Sequence, residues 1–265
     1  MEKFLNIGDK KVGEGHPCFF IAEIGSNHDH DYEKAIKLID LAAEAKVDAV
    51  KFQTFKADEH YSKLAPKFEY LKGKDTYSLI ESLEINRDWH APLKEYCESV
   101  GLIFISSPCD YEAVDQLAEI DMQAYKVASF DLPDTLLIKK IAQKSKPLIL
   151  STGMANMEDI RLAVNTSLEA GNSDIALLQC TSIYPAPSKL SNLNAIKNMK
   201  DEFNLVTGYS DHTMGNHICL SAVSMGASII EKHYTLSRNS EGPDHGFAIE
   251  PDELKSLIEG LREVE

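Results

Sequence analysis

Gly208-Tyr209-Ser210-Asp211-His212-Thr213 and, one helix-length segment later, Ile229-Ile230-Glu231-Lys232-His233 are two short apolar runs, each ending in a histidine. Runs of that length fit buried strands, and the segment between them suits a helix. The pair therefore reads as strand, helix, strand, with polar cargo at the strand ends. Two imidazoles delivered in this way can converge on one divalent cation, leaving coordination positions for water and a substrate oxygen. That is the pattern of a catalytic metal and not of a closed structural one. The alternative is a pair of strand-end histidines satisfied by ordinary neighbours. What the other strand ends carry decides between the two.

Working outward, the same unit recurs along the chain. Apolar runs consistent with fully buried strands stand at Phe19–Ile24, Ala49–Phe52, Leu102–Ile105, Ala124–Ala128, Leu148–Leu150, Ile175–Leu178, Leu205–Thr207 and Ile229–Ile230. Most are separated by segments with apolar residues three and four apart, as at Ala35, Ile36, Leu38, Ile39, Ala42 and Ala43. Strand–helix alternation implies parallel pairing, and eight such units point to a closed (β/α)8 TIM barrel of the α/β class in preference to an open doubly wound sheet. Before the barrel, Phe4–Ile7 and Lys11-Val12 flank Gly8-Asp9-Lys10 and predict a short hairpin. Residues 1–17 are thus an N-terminal extension, and residues 1–265 are expected to form one catalytic domain. A last helix begins Pro251-Asp252-Glu253, with proline and acids suited to a first turn, and no second domain is expected after it.

Composition agrees. The 265 residues, 43% hydrophobic and 26% charged, suit a globular protein with a large core. A formal charge of -15 argues against nucleic acid as a partner, because neutralising phosphates needs a clustered basic face. An anionic ligand would have to be held by a few local lysines against that field. The five cysteines, at 18, 97, 109, 180 and 219, form no CxxC spacing, and several lie in apolar runs where a thiol simply packs, so a reduced, cytoplasmic protein is expected. Met1-Glu2-Lys3-Phe4 opens no signal peptide, and no apolar run approaches the roughly 20 residues that cross a bilayer, so no membrane partner is expected.

The predicted strand ends are rich in polar groups. The first reads Ala22-Glu23-Ile24-Gly25-Ser26-Asn27-His28, which puts a carboxylate inside an apolar run where an unpaired charge is costly, so Glu23 requires a partner. The second gives Lys51-Phe52-Gln53-Thr54 and the fourth Tyr125-Lys126-Val127-Ala128-Ser129-Phe130-Asp131. A lysine at such a place can snorkel to the surface, form a Schiff base, or act as a point charge for phosphate or carboxylate. Hydroxyls from Ser107, Ser129, Ser151, Thr152, Ser182 and Ser210 lie at neighbouring ends. A ring of donors around two cations favours the anion site, for a substrate carrying both phosphate and carboxylate. The long polar stretch from Phe55 to Asn86 reads as either a cover over the barrel top or a tolerated surface insertion.

From about residue 17 to 262 the chain resembles the catalytic barrel of the sialic acid synthase family. The likeness is carried by Ala22-Glu23-Ile24-Gly25-Ser26-Asn27-His28, Lys51-Phe52-Gln53, Tyr125-Lys126-Val127-Ala128-Ser129, Leu150-Ser151-Thr152-Gly153-Met154, Cys180-Thr181-Ser182-Ile183-Tyr184-Pro185, Tyr209-Ser210-Asp211-His212-Thr213, Glu231-Lys232-His233 and Gly242-Pro243-Asp244-His245. Eight blocks in barrel order make it specific. The family condenses phosphoenolpyruvate with N-acetylmannosamine or a related amino sugar, so the resemblance implies that reaction and those two substrates. It further implies that His212 and His233 hold a divalent metal, usually manganese, with magnesium or cobalt as alternatives. Lys51, Ser107, Lys126, Ser129, Ser151, Ser182 and Ser210 would line the phosphoenolpyruvate site. Gln53, Asp131, Tyr184 and Asp244 would face the sugar, with Glu23 closest to the reacting carbons. A homodimer is implied as well.

Two departures from the family pattern stand out. Members commonly end with a small antifreeze-like domain that reaches over the partner's active site. Residues 1–265 lack it, so either the sequence is cut short of that domain, or a separate polypeptide supplies the lid, or the barrel acts alone with weaker sugar binding. Phe130-Asp131 replaces a glycine and a glutamate found in many members, which points to a different nonulosonic acid, such as a legionaminic, pseudaminic or 3-deoxy-ulosonic product. The competing readings are a barrel that binds these ligands without turnover and an aldolase using Lys126 as a Schiff base.

Overall fold

The computed structural model describes residues 3–64 and 75–265. Strands β1 (Phe4–Ile7) and β2 (Lys10–Gly13) form the expected antiparallel hairpin, closed at Ile7 and Lys10 across Gly8-Asp9. Gly8 has φ +59°, the left-handed conformation that a two-residue hairpin turn asks of its first central residue.

Eight parallel strands then close on one another: β3 (Phe19–Gly25), β4 (Ala49–Thr54), β5 (Ile103–Pro108), β6 (Tyr125–Val127), β7 (Leu148–Ser151), β8 (Ile175–Cys180), β9 (Val206–Asp211) and β10 (Ile229–His233), with β10 returning to pair with β3. Helices pack outside. The first, α1 (Tyr32–Glu44), is capped by the Asp31 side chain accepting from the Lys34 amide and buries Ala35, Leu38, Ile39 and Ala42, the stripe its spacing predicts. The last helix runs Pro251–Val264 with proline in its first turn.

The strands differ from expectation in one consistent way. Several run two to four residues beyond the apolar stretch that announces them, as β5 does to Pro108, β9 to Asp211 and β10 to His233. Backbone pairing does not depend on side-chain polarity, and the interior of the upper barrel is polar, so the ladder continues where the hydrophobic signal stops. Gly208 allows one such continuation. A Cβ there would lie 2.3 Å from the Ile229 carbonyl oxygen.

Two apolar layers result. The outer one joins alternate strand residues, such as Phe20, Phe52 and Ile230, to the helices. The inner one, including Phe19, Ile21, Ala49, Ile105, Ile149, Leu178 and Ile229, fills the lower barrel and is plugged from below by Leu5, Ile7 and Val12 of the hairpin. The hairpin is therefore the floor of the barrel, and any internal cavity has to open upward.

Within the stretch from Phe55 to Asn86, the described residues include α2 (Ala57–His60) and α3 (Thr76–Glu81), so the polar run contains helical turns that its composition does not announce. Lys72-Gly73-Lys74 lies outside the described residues.

His28 and His90 are buried on the helix side, His28 edge-on to Trp89 and His90 with Nε2 2.9 Å from the Thr54 hydroxyl. Burial lowers both from the ordinary value of 6.5 to about 4. Each imidazole is neutral when folded and binds a proton on unfolding between those values. The stability it contributes is complete above the ordinary value and is lost as pH falls towards the folded one, at about 1.4 kcal/mol per pH unit. Urea unfolding between pH 6.5 and pH 4 should accordingly show a shallower pH slope for His90→Gln than for the wild type, by about that amount. Equal slopes would contradict the assignment.

Candidate functional site

A strand's side chains alternate, so once Phe19, Ile21, Ala49 and Ile229 face the barrel interior, the residues two further along must face it too. Those residues are Glu23, Lys51 and Glu231. Register sets them side by side, with Glu23 opposite Lys51 and His233 opposite Glu23. The same count on β6 from Ala124 brings in Lys126.

These four charges form one buried cluster above the apolar layer. Lys51 Nζ lies 2.8 Å from Glu23 Oε2 and 3.9 Å from Glu231 Oε2, and it donates to the Ser107 hydroxyl at 3.2 Å. The other Glu23 oxygen accepts from the Gln53 amide at 2.7 Å. Burial would lower Lys51, but the Glu23 and Glu231 carboxylates override it and hold the ammonium above its ordinary value. Burial raises Glu23 in spite of Lys51. Lys126 is different. Its Nζ donates to the Val127 carbonyl at 3.2 Å and sits 3.7 Å from Glu231 Oε1, contacts too loose to offset desolvation, which lowers its pKa. Lys51 is a committed cation, whereas Lys126 is the one with capacity for an incoming anion.

Hydroxyls surround the cluster. Ser210 donates to Glu231 Oε1 at 3.1 Å. Ser129 accepts from the Gly153 amide at 2.9 Å, with its hydroxyl proton facing the Cys180 sulfur. The Ser151 hydroxyl is buried with no hydrogen-bond partner among the described residues, a donor aimed at nothing in the protein. Ser107, Ser129, Ser151 and Ser210 all line a cavity of about 230 Å³ with Lys51 and Lys126. Ser182 does not. Strand β8 ends at Cys180, and by Ser182 the chain has left the barrel wall, with that hydroxyl against Gly153, only 2.6 Å from where a Cβ would stand.

His212 and His233 meet at the cavity's other side, their ring centroids 5.4 Å apart. His212 Nδ1 donates to the Thr181 carbonyl at 2.8 Å, which fixes the ring and leaves Nε2 available as a ligand atom. His233 Nδ1 is buried without a hydrogen-bond partner among the described residues, and the nearest carboxylate, Asp244, is 3.7 Å away. An anchored imidazole facing an orphaned one is a donor set that fits a divalent ion with open positions. Behind the pair, on the helix side, Lys232 binds the Asp211 carboxylate at 2.5 Å and the Thr213 carbonyl at 2.7 Å, tying together the two strands that carry the histidines.

Among the residues expected to face a sugar, Gln53, Asp131 and Tyr184 line the cavity, and Tyr184 packs its ring 4.2 Å from that of His212. Asp244 lies outside the lining, beside His233, because it belongs to the loop after β10. Burial raises its carboxyl to about 6. Phe130, marked in the sequence as the bulky residue beside Asp131, also lines the cavity, as do Glu231, Cys180, Cys109, His60 and Phe55, to which the sequence assigned no site role. Among the latter, Glu231 alone carried a readable signal, a carboxylate inside an apolar run like that of Glu23.

Comparison with known proteins finds relatives along nearly the whole chain. The chain is 42% identical over 252 residues to the N,N'-diacetyllegionaminic acid synthase of Campylobacter jejuni, with 92% of this chain and 75% of that protein aligned. It is 41% identical over 265 residues to the spore coat polysaccharide biosynthesis protein SpsE of Bacillus subtilis, aligning 98% of this chain and 71% of the other. The crystal structure of N-acetylneuraminic acid (sialic acid) synthetase from Leptospira borgpetersenii, in complex with citrate, superposes with a TM-score of 0.92 at 34% identity and covers 100% of this chain and 89% of its own. The sequence profile of the NeuB family matches residues 38–265, and the chain belongs to that family.

Proposed function

We propose that this barrel condenses phosphoenolpyruvate with N-acetylmannosamine or a related amino sugar, giving a nonulosonic acid and inorganic phosphate. The observation that carries the reading is the buried pair Lys51 and Lys126 with unsatisfied Ser151, a dianion site in a protein of net charge -15, set within one cavity beside a histidine pair. In this reading Lys126, Ser129 and Ser151 bind phosphate and carboxylate, and Lys51 is held in place by Glu23 and Ser107.

His212 and His233 would hold a divalent metal, manganese in this proposal, supplying Lewis-acid polarisation of the open-chain aldehyde. The methylene carbon of the enol phosphate attacks that aldehyde carbon, forming the new C–C bond and leaving positive charge on the phosphate-bearing carbon. Glu23, at the barrel centre, faces that charge and orients the water that adds to it. Collapse to the ketone breaks the C–O bond to phosphate, and the water's two protons go to the new alkoxide and the departing phosphate. An enol phosphate is already an activated enol, so no lysine Schiff base is required.

The sugar end supports a narrower reading. Phe55, Ile80 and Phe130 give it an apolar wall, which favours an acylated, deoxygenated sugar of the legionaminic or pseudaminic type. Phe130 and Tyr184 are exposed at its mouth, where a lid from a second copy or a separate chain would act. The proposal places no nucleic acid or membrane among the partners; no helix of the described residues is long and apolar enough to cross a bilayer.

Phosphate release should be seen with phosphoenolpyruvate, manganese and one member of a panel of mono- and diacetamido sugars. His212→Ala or His233→Ala should lower turnover by more than the 10- to 100-fold typical of losing an outer-shell partner, with the melting temperature retained. Full activity in either variant after chelation and manganese re-addition would contradict the metal assignment, and no phosphate release with any sugar would contradict the reaction.

A further inference from the structure

His60, Cys109 and Asp131 bring an imidazole, a thiol and a carboxylate together on one wall of the cavity, with one donor atom from each lying within 4.8 Å of the others. They come from separate elements. His60 is the last residue of α2, Cys109 follows β5, and Asp131 lies in the turn after β6. Asp131 is 6% exposed, and its carboxylate makes no direct ion pair with a lysine or arginine among the described residues, Lys126 acting on it only from a distance. His60 Nε2 stands 3.7 Å from Asp131 Oδ1, beyond hydrogen-bond reach. The Cys109 thiol contacts Asp131 and, at 3.7 Å, the Ser107 carbonyl. Burial raises both the thiol and the Asp131 carboxyl, consistent with a site that is under-compensated as it stands.

We propose that His60, Cys109 and Asp131 form a second metal site, selective for a thiophilic divalent ion of the zinc class, and that its occupation blocks the sugar end of the cavity. The donor set separates it from the histidine pair. A nitrogen, a sulfur and an oxygen leave one open position on a tetrahedral ion, whereas magnesium and manganese favour oxygen-rich, six-coordinate shells. Zinc bond lengths imply ligand–ligand separations of roughly 3.3–3.6 Å, so the His60–Asp131 spacing of 3.7 Å and the 4.8 Å limit on the three donor atoms leave only small side-chain movements to close the site. Binding displaces the thiol proton to solvent as the metal–thiolate bond forms, with no redox change.

The consequence for catalysis rests on the synthase reading, in which Asp131 faces the sugar. The ion would take that carboxylate, and it would fix α2 through His60, whose ring meets Phe130 edge-on at 5.6 Å. Zinc would then compete with the amino sugar for Asp131, while Lys126, Ser129 and Ser151, which bind phosphoenolpyruvate in that reading, are not among its ligands.

Cobalt(II) serves as the spectroscopic probe. Titrated into the full chain, it should give a thiolate-to-cobalt charge-transfer band in the near ultraviolet that zinc removes. The band should persist in Cys180→Ser and in a His212→Ala/His233→Ala double variant, be absent from Cys109→Ser, and require at least tenfold more cobalt in His60→Gln. Circular dichroism would confirm that each variant is folded. In steady state, zinc should raise the apparent KM for the sugar at least tenfold in the wild type and not in Cys109→Ser, with the KM for phosphoenolpyruvate unchanged. The band needs no turnover, so it tests the site even if the condensation is not observed. No band in the wild type, or one that survives Cys109→Ser and is lost in Cys180→Ser, would overturn the proposal.

Discussion

Glu23, Lys51, Lys126 and Glu231 are withdrawn from water at the centre of the barrel, and the surrounding architecture makes that possible. An isolated charge in such a place would cost several kcal/mol or more. The ion pair between Lys51 and Glu23 offsets much of it, as does the Gln53 amide on the second Glu23 oxygen. Compensation is uneven, however. Lys126 and Glu231 remain 3.7 Å apart, and the Ser151 hydroxyl has no partner among the described residues. A purely structural network would close those contacts. Leaving them open costs stability and provides a preorganised place for an anion that completes them.

The hairpin floor and the two-residue alternation follow from the same constraint. Leu5, Ile7 and Val12 seal the lower barrel with the inner ring of aliphatics, so the charge cluster lies just above a dry plug. One step of strand register separates Lys51 from the apolar position beside it, and a slip of one residue would turn the ammonium towards the helices. On β9 and β10 the same alternation places Ser210, His212, Glu231 and His233 inward while Asp211 and Lys232 pair behind them.

This alternation also explains what could be read in the sequence. Eight apolar runs with helical spacing between them suffice for the barrel, because burial on both faces leaves a continuous hydrophobic signature. Glu23, Lys51 and Lys126 stand out because a charge inside such a run is expensive. Strand ends were harder to place, since the ladder continues through the polar site residues. In Glu231-Lys232 two adjacent charges sit in one strand, and only the register distinguishes the inward from the outward one. The cluster of His60 with Cys109 and Asp131 had no local signal. It depends on α2, a four-residue helix within a long polar stretch, folding back over the ends of β5 and β6.

The central claim is that the barrel interior is a dianion site in which Lys126 is the uncommitted cation. Calorimetric titration of phosphoenolpyruvate into the wild type and Lys126→Met, with no sugar present, tests it most directly. Loss of one charge-assisted contact of about 1.5–3 kcal/mol should weaken binding by roughly 10- to 150-fold in the variant. Equal affinity in the two proteins would contradict the account.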